Sequence, residues 1–136
     1  MIILYSKMEN LMKQIFAAKA PDAIGPYCHA TVYNNLAFCS GQIPLDPETM
    51  EITGTTIEEQ TTRVMENIKI VLSEVGTSLD KIIKTTIFLN TMDDFMRMNR
   101  VYEKSLSGHK PARSAFEVGR LPKDALVEIE CIAAIE

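Results

Sequence analysis

The 136-residue sequence lacks the long apolar runs of a membrane protein and the beginning of a secreted one. No stretch approaches the roughly 18 to 20 consecutive apolar residues that a membrane-spanning helix needs. The apolar run at residues 1–5 is too short for the core of a signal peptide, and no basic residue precedes it. We therefore expect a cytoplasmic protein with no membrane partner.

Cysteine is scarce, and basic residues are not in excess. Cys28, Cys39 and Cys131 are odd in number and widely spaced, with no Cys-x-x-Cys pair and no histidine at zinc-ligand spacing. We therefore expect three reduced thiols and no metal site. The 14 basic and 18 acidic residues give a net charge of −4, which disfavours nucleic-acid binding but leaves a local basic patch open.

Linkers, internal repeats and low-complexity segments are also missing, so nothing divides the chain. The hydrophobic fraction of 46% and the charged fraction of 24% are ordinary for a soluble globular protein, and a chain of this length can bury a real core. We predict a single domain over residues 13–136, preceded by an N-terminal extension at residues 1–12.

Most of the sequence outside two helical segments has the character of strands and turns. Runs rich in β-branched, aromatic and other apolar residues predict six strands, at residues 14–17, 28–33, 36–39, 82–89, 112–118 and 126–134. Asn34-Asn35 predicts a hairpin turn, because asparagine tolerates left-handed backbone angles. A lone Gly41 next to Ser40 predicts a bulge or a close approach of another group, and does not by itself indicate a phosphate site.

Two segments show helical periodicity. Apolar residues recur every three or four positions from 57 to 75, and either Thr55 with Glu58 or Thr56 with Glu59 offers a capping box before them. Gly76 is suited to the position just past the helix end.

The second predicted helix has Asp93 and Asp94 in its first turn and Gly108 just beyond its end. Its inward stripe is predicted to consist of Phe95, Met98, Asn99, Tyr102 and Leu106.

This order of elements predicts an α+β fold in which two helices pack on one face of a mixed six-stranded sheet. The opposite face of the sheet then has no cover within the chain. Because an apolar sheet face needs cover, self-association is its simplest source.

The last strand carries the first candidate chemical groups. Glu128 and Glu130 alternate with apolar residues, so both point to one face of the sheet about 7 Å apart. Two acids at this spacing could serve an active site, or they could simply solvate an exposed face. The pattern alone favours the second interpretation.

Arginine, tyrosine and histidine supply the other candidates. Arg113 opens a strand, where its planar fork could bind a carboxylate through two parallel hydrogen bonds, although a surface ion pair is the commoner role. Tyr27 follows the rigid Gly-Pro turn that could direct its phenol into a cleft. His29 and His109 have no partner at metal or triad spacing, so we interpret them as structural or exposed. Arg120 fits a surface pair.

Five motifs resemble one known family. They are Ile24-Gly25-Pro26-Tyr27, Ser40-Gly41-Gln42-Ile43-Pro44, Pro111-Ala112-Arg113-Ser114, Val118-Gly119-Arg120-Leu121-Pro122 and Val127-Glu128-Ile129-Glu130. Together they resemble the Rid family, also called YjgF or L-PSP. The match runs from about residue 13 to residue 135, with the motifs in order.

The resemblance implies a chorismate-mutase-like fold and a homotrimer whose sheets face inward, with clefts between subunits. It also implies hydrolysis, without a cofactor, of imines and enamines such as 2-aminoacrylate to 2-keto acids and ammonia. Matched motif by motif, it implies that Arg113 binds the substrate carboxylate and that Glu128 handles the water. The remaining pocket residues implied in this way are Tyr27, Ser40, Gly41 and Asn99.

Three features depart from the family pattern. Ala115 stands where many members have cysteine, Lys110 replaces a frequent aromatic residue, and the segment from Asn99 to Arg113 is short. The second and third departures are expected to reshape the mouth of the pocket and with it the substrate range.

Two other functions remain open from the sequence. One is an L-PSP-type endoribonuclease that inhibits translation, which the net negative charge disfavours. The other is a non-catalytic module that binds small metabolites or partner proteins.

Overall fold

The structure, a computed structural model, describes residues 11–136. Within that range the strands are β1 (Lys13–Ile15), β2 (Ala30–Tyr33), β3 (Leu36–Gln42), β4 (Ile82–Leu89), β5 (Ala112–Glu117) and β6 (Val127–Ala134). The α-helices are α1 (Ile57–Val75) and α2 (Phe95–Leu106). The predicted N-terminal extension, residues 1–12, lies outside the described residues except for its last two.

The strands form one mixed sheet in the order β1-β2-β3-β6-β4-β5. Neighbouring strands are antiparallel except β4 and β5, which run parallel. A parallel pair needs a crossover connection, and α2 lies in the connection between these two strands. The predicted α+β class and mixed six-stranded sheet are confirmed.

Helix α1 is capped at both ends by side-chain and glycine chemistry. The Thr56 hydroxyl oxygen accepts the Glu59 backbone N–H at 3.2 Å, and the hydroxyl donates to the Glu59 carboxylate at 2.9 Å. Of the two predicted caps, the one formed is therefore Thr56 with Glu59. Gly76 ends the helix at φ 95°, where its N–H donates to the Leu72 carbonyl at 3.0 Å.

Helix α2 begins later than the sequence predicts. Asp93 and Asp94 lie in a short 3₁₀ turn, Met92–Asp94, and the α-helix starts at Phe95, so their placement in its first turn is wrong. The Thr91 hydroxyl accepts a hydrogen bond from the Asp93 N–H at 3.2 Å, and the Thr91 backbone carbonyl accepts one from the Asp94 N–H at 3.3 Å. These local bonds stabilise the 3₁₀ turn.

Three strand ends differ from the prediction by two residues or more. Strand β1 ends at Ile15 because the Ala17 N–H donates to the His29 ring at 2.9 Å instead of continuing a ladder. Strand β2 begins at Ala30, two residues later than predicted. Strand β3 continues to Gln42, through a shift in register against β6 that starts after Cys39 and is the predicted bulge.

The two faces of the sheet have different surroundings. The helices cover one face, where alternate β6 residues, such as Val127 and Ile129, are almost fully buried. On the other face, exposed rings stand on three strands: Tyr33, Phe38 and Phe116. No helix within residues 11–136 covers that second face, which agrees with the predicted arrangement.

None of the helices found in residues 11–136 combines the length and the apolar character that crossing a bilayer requires.

Candidate active site

The six site residues implied by the sequence fall into two groups in one chain. Tyr27, Ser40, Gly41 and Glu128 line one cleft, and we call this group the Glu128 half-site. Arg113 and Asn99 are joined by a hydrogen bond elsewhere on the surface, and we call this pair, with the residues that contact it, the Arg113 half-site.

The Glu128 half-site is a cleft of about 600 Å³ where β3 ends and β6 begins. Its apolar surface comes from Ile24, Ile43, Leu45 and Pro122. Its acidic and basic side chains are those of Asp22, Lys123, Glu128 and Glu130. A space of this volume admits a small organic ligand.

Gly41 allows the Glu128 side chain to lie across the neighbouring strand. A Cβ at position 41 would stand 3.0 Å from Cδ and 3.1 Å from Cγ of Glu128, closer than such atoms normally approach. The bulge in β3 places residue 41 at this spot. The predicted close approach at Gly41 is therefore present, and its partner is the carboxylate side chain.

Ser40 has its hydroxyl proton already engaged. Its Oγ donates to the Cys28 carbonyl at 2.7 Å, and its backbone N–H donates to the His29 carbonyl at 2.9 Å. The serine oxygen keeps lone pairs that can accept a hydrogen bond from a ligand.

Tyr27 lies on a loop that a buried histidine fastens to the sheet. The His29 Nδ1 atom accepts the Ala17 N–H at 2.9 Å, and Nε2 donates to the Pro21 carbonyl at 2.7 Å. His29 is therefore structural, as predicted. Gly25 at φ 130° makes the turn before Tyr27, whose ring is 47% exposed and lines the cleft.

Burial raises the pKa of the Glu128 carboxyl above its ordinary value, and the negative charge of Glu130 adds to the effect. Burial is the larger of the two causes, and it acts by removing the water that stabilises the ionised carboxylate. A carboxyl of this kind holds its proton to higher pH than an exposed one, and this property suits a group that exchanges protons with a substrate.

Arg113 lies on the opposite face of the sheet, beside α2. Its Nη1 donates to the Asn99 side-chain oxygen at 2.7 Å. The guanidinium carbon lies 5.4 Å from the centre of the Phe95 ring and 5.2 Å from that of Tyr102. The Tyr102 hydroxyl in turn lies 2.7 Å from the hydroxyl of Thr85 on β4.

The register of the sheet keeps the two half-sites apart. Glu128 pairs with Phe88 on β4, whereas Arg113 pairs with Thr85, three residues earlier on the same strand. The two residues are about 10 Å apart across the strands, which is two strand spacings, and about 10 Å apart along them, which is three residues. Their side chains also project from opposite faces of the sheet. One small substrate therefore cannot contact both groups of the same chain.

Two of the contacts to Arg113 were not recognised as functional from the sequence. Phe95 and Tyr102 were assigned only to the inward stripe of α2. Their spacing to Asn99, at positions i, i+4 and i+7, places all three on one side of the helix and is the signal that could have identified them.

Other residues singled out in the sequence lie away from the cleft. His109 donates from Nε2 to the Ile82 carbonyl at 2.7 Å, and it lines a smaller pocket of about 260 Å³ with Lys110 and Arg113. Arg120 pairs with Asp124 at the surface, as predicted. Ala115 packs against the core. Within residues 11–136 no cluster of side chains is arranged to hold a metal ion.

Three comparisons relate this chain to known proteins. Residues 17–135 match the sequence model of a family described as endoribonuclease L-PSP. A RutC family protein of Pyrococcus abyssi is 53% identical over 119 residues, which cover 88% of this chain and 94% of that protein. Reactive Intermediate Deaminase A, chloroplastic, of Arabidopsis thaliana is 42% identical over 117 residues, or 86% of this chain and 63% of that protein. The crystal structure of E. coli TdcF with bound serine has a TM-score of 0.86 and 39% identity, and covers 91% of this chain and 99% of that one.

Proposed function

The chain belongs to the Rid family, whose sequence model carries the description endoribonuclease L-PSP, and on that premise we propose that it is a hydrolytic deaminase. Its substrates are small 2-imino and enamino acids such as 2-aminoacrylate, and its products are 2-keto acids and ammonia. The Arabidopsis relative named Reactive Intermediate Deaminase A supports this activity, and TdcF with bound serine supports a ligand of amino-acid size.

The observation that carries the proposal is the chemical complementarity of the two half-sites. Arg113 offers a cationic fork suited to a carboxylate, and the cleft around Glu128 offers a half-buried carboxyl of raised pKa. A 2-imino acid has one carboxylate to bind and one adjacent carbon to hydrate. These are the two functions that the half-sites provide.

The reaction needs only proton transfer and water. Protonation of an enamine at its terminal carbon, or of an imine at nitrogen, makes the adjacent carbon electrophilic. Water adds to that carbon while Glu128 accepts a proton from it, and the same carboxyl returns the proton to the amine nitrogen. Ammonia leaves as the carbonyl forms, and the hydroxyl proton passes to Glu128, where it replaces the proton that this carboxyl gave to activate the substrate. One water is therefore consumed for each ammonia released. Tyr27 and Ser40 orient the substrate beside this carboxyl.

The separation of the half-sites requires two copies of the chain for one active site. Because the two half-sites lie on opposite faces of the sheet, we propose a heterologous contact that closes as a ring. We propose a ring of three, as the family resemblance implies, with the exposed rings of Tyr33, Phe38 and Phe116 facing inward. Light scattering should report about 3 × 15.2 kDa, and a stable monomer would contradict the shared site.

The deciding experiment couples a pyridoxal-phosphate-dependent serine or threonine dehydratase to this protein. The dehydratase releases the enamine, and the rate at which free keto acid appears is followed as the protein is added. We expect acceleration at catalytic amounts. A keto acid that forms at the buffer rate, while the protein still binds pyruvate, would favour a metabolite-binding module instead.

A further inference from the structure

We propose that Phe95 and Tyr102 are positioning residues, which hold the Arg113 guanidinium against their rings in the orientation that binds the substrate carboxylate. The role of Arg113 in binding rests on the proposed function. The two aromatic residues extend it, because they act through the arginine and need not touch the substrate.

The spacing of α2 places both rings next to the guanidinium of Arg113. Phe95, Asn99 and Tyr102 stand at positions i, i+4 and i+7, and seven residues rise about 10.5 Å along a helix. The guanidinium carbon lies 5.4 Å from one ring centre and 5.2 Å from the other. The two rings therefore stand about two turns apart on one side of α2, and the cation lies at cation–π distance from each of them.

The hydrogen bonds of Arg113 indicate which edge of the fork remains available. A guanidinium carries five N–H donors, and the Asn99 side chain accepts one of them, from Nη1. Among residues 11–136 the other donors have no partner within hydrogen-bonding distance. The edge formed by Nε and Nη2 therefore keeps both of its donors, as a bidentate carboxylate contact requires.

Tyr102 is itself anchored to the sheet. Its ring is 7% exposed, and its hydroxyl lies 2.7 Å from that of Thr85, which is fully buried on β4. Thr85 is also the residue that pairs with Arg113 in the β4–β5 ladder. The stacking ring and the arginine backbone are thus fixed to the same point of the fold.

This arrangement compensates for the exposure of Arg113. A long side chain on an exposed edge strand loses rotamer freedom when it binds a ligand, and that loss weakens binding. Stacking against two rings removes part of this freedom before the substrate arrives. The expected effect is therefore on substrate and product binding, with little effect on the chemical step.

The test compares variants that remove a ring with variants that retain one. Phe95→Leu and Tyr102→Leu remove a ring, whereas Phe95→Tyr and Tyr102→Phe are the matched controls. Urea unfolding and light scattering identify variants that fail to fold or assemble, and Phe95→Leu, which leaves the Thr85 hydroxyl bond in place, is the variant least exposed to that problem.

The first measurement needs no substrate. Nuclear magnetic resonance relaxation of the Arg113 Nε–H group should give an order parameter typical of a rigid group, roughly 0.85, and removing a ring should lower it toward 0.6 or less. Phe95→Tyr should stay near wild type, and Tyr102→Phe, which keeps the ring but loses the hydroxyl bond to Thr85, should lie between wild type and Tyr102→Leu. A mobile Nε–H group in the wild-type protein, or no change when a ring is removed, would overturn the proposal whether or not the protein is a deaminase.

The second measurement is the dissociation constant for pyruvate, with KM and kcat from the dehydratase assay. Each ring removed should raise the dissociation constant and KM roughly two- to fivefold, with kcat little changed. In an Arg113→Ala background the same change should have no further effect. An equal loss in both backgrounds would mean that the rings only stabilise the fold, and this result would contradict the proposal while leaving the deaminase assignment intact.

Discussion

The Arg113 and Glu128 half-sites lie on opposite faces of one sheet and differ in what holds their side chains. Arg113 lies on the edge strand β5, where solvent is close, and side chains from α2 give it direction. Glu128 lies on β6, between two other strands. The absence of a side chain at Gly41 allows β3 to approach the Glu128 carboxyl closely. Side-chain contacts thus orient Arg113, the proposed binding group, and burial raises the pKa of Glu128, the proposed proton-transfer group.

The difference predicts how each half-site responds to substitution. Recognition of a carboxylate depends on geometry, which can be supplied by stacking and one hydrogen bond at an exposed site. A raised pKa depends on the loss of solvent, which an exposed edge strand cannot supply. The four predictions below test this contrast between the two half-sites, beginning with the one for which we expect the largest effect.

Replacing the Glu128 carboxyl by an amide should have the largest effect on turnover. Glu128→Gln preserves size and hydrogen bonding but cannot exchange a proton, so kcat should fall roughly 10² to 10⁴-fold, with much less change in pyruvate binding. Steady-state kinetics and pyruvate titration measure the two effects.

Glu130→Gln is the internal control for that change. Glu130 lines the same cleft one pleat away, and it should lose far less activity. If the two glutamine variants lose activity equally, while circular dichroism shows both folded, the special role of Glu128 is wrong.

A mixture of two inactive chains should regain activity if each site combines half-sites from two copies. The Arg113→Ala and Glu128→Gln chains are unfolded and refolded together in equal amounts. In every trimer that contains both variants, one of the three interfaces then joins an intact Arg113 to an intact Glu128. Random mixing then predicts about a quarter of wild-type activity. Activity no higher than that of the separate variants would indicate that the site is not shared.

Arg113→Lys tests whether geometry or charge matters in the exposed half-site. A point ammonium cannot make two parallel hydrogen bonds, so we expect most activity to be lost, roughly tenfold in kcat/KM. The pyruvate dissociation constant should rise by a similar factor. Near wild-type kinetics would return Arg113 to the role of a surface cation.

The smallest expected effect is a pH dependence of stability that comes from Glu128. Its folded pKa is raised above the unfolded value of about 4.3, so above that value the unfolded chain releases the proton first. The free energy of unfolding should therefore decline as the pH rises through this window and level off above the folded pKa. Glu128→Gln should lack this component when both proteins are unfolded by urea at one protomer concentration.

Glu130→Gln should change this pH dependence only in part. Burial is the larger cause of the raised pKa of Glu128, and the charge of Glu130 is the smaller one. The pH range over which stability declines should therefore become narrower in Glu130→Gln but should not disappear. Its disappearance in Glu130→Gln would mean that repulsion between the two acids, and not burial, controls the Glu128 half-site.

Local patterns predicted much of the fold. The alternation in β6 put Glu128 and Glu130 on the face away from the helices, and the apolar periodicity and caps of α1 marked a helix that has the predicted bounds. These predictions succeed because a period of two or 3.6 residues depends only on the neighbouring backbone. The start of α2 was wrong because a threonine side chain, and not periodicity, determined it.

The sequence by itself determined the elements, the motifs and the residue types that the chemistry needs, since each follows from local backbone preference or from a short match. Only the tertiary structure decided how those residues are grouped. Strand order and register put Arg113 two strands from Glu128 and on the other face, and they brought Gly41 against the carboxyl that it accommodates. Such groupings depend on pairings between residues far apart in the chain, and no local period records them.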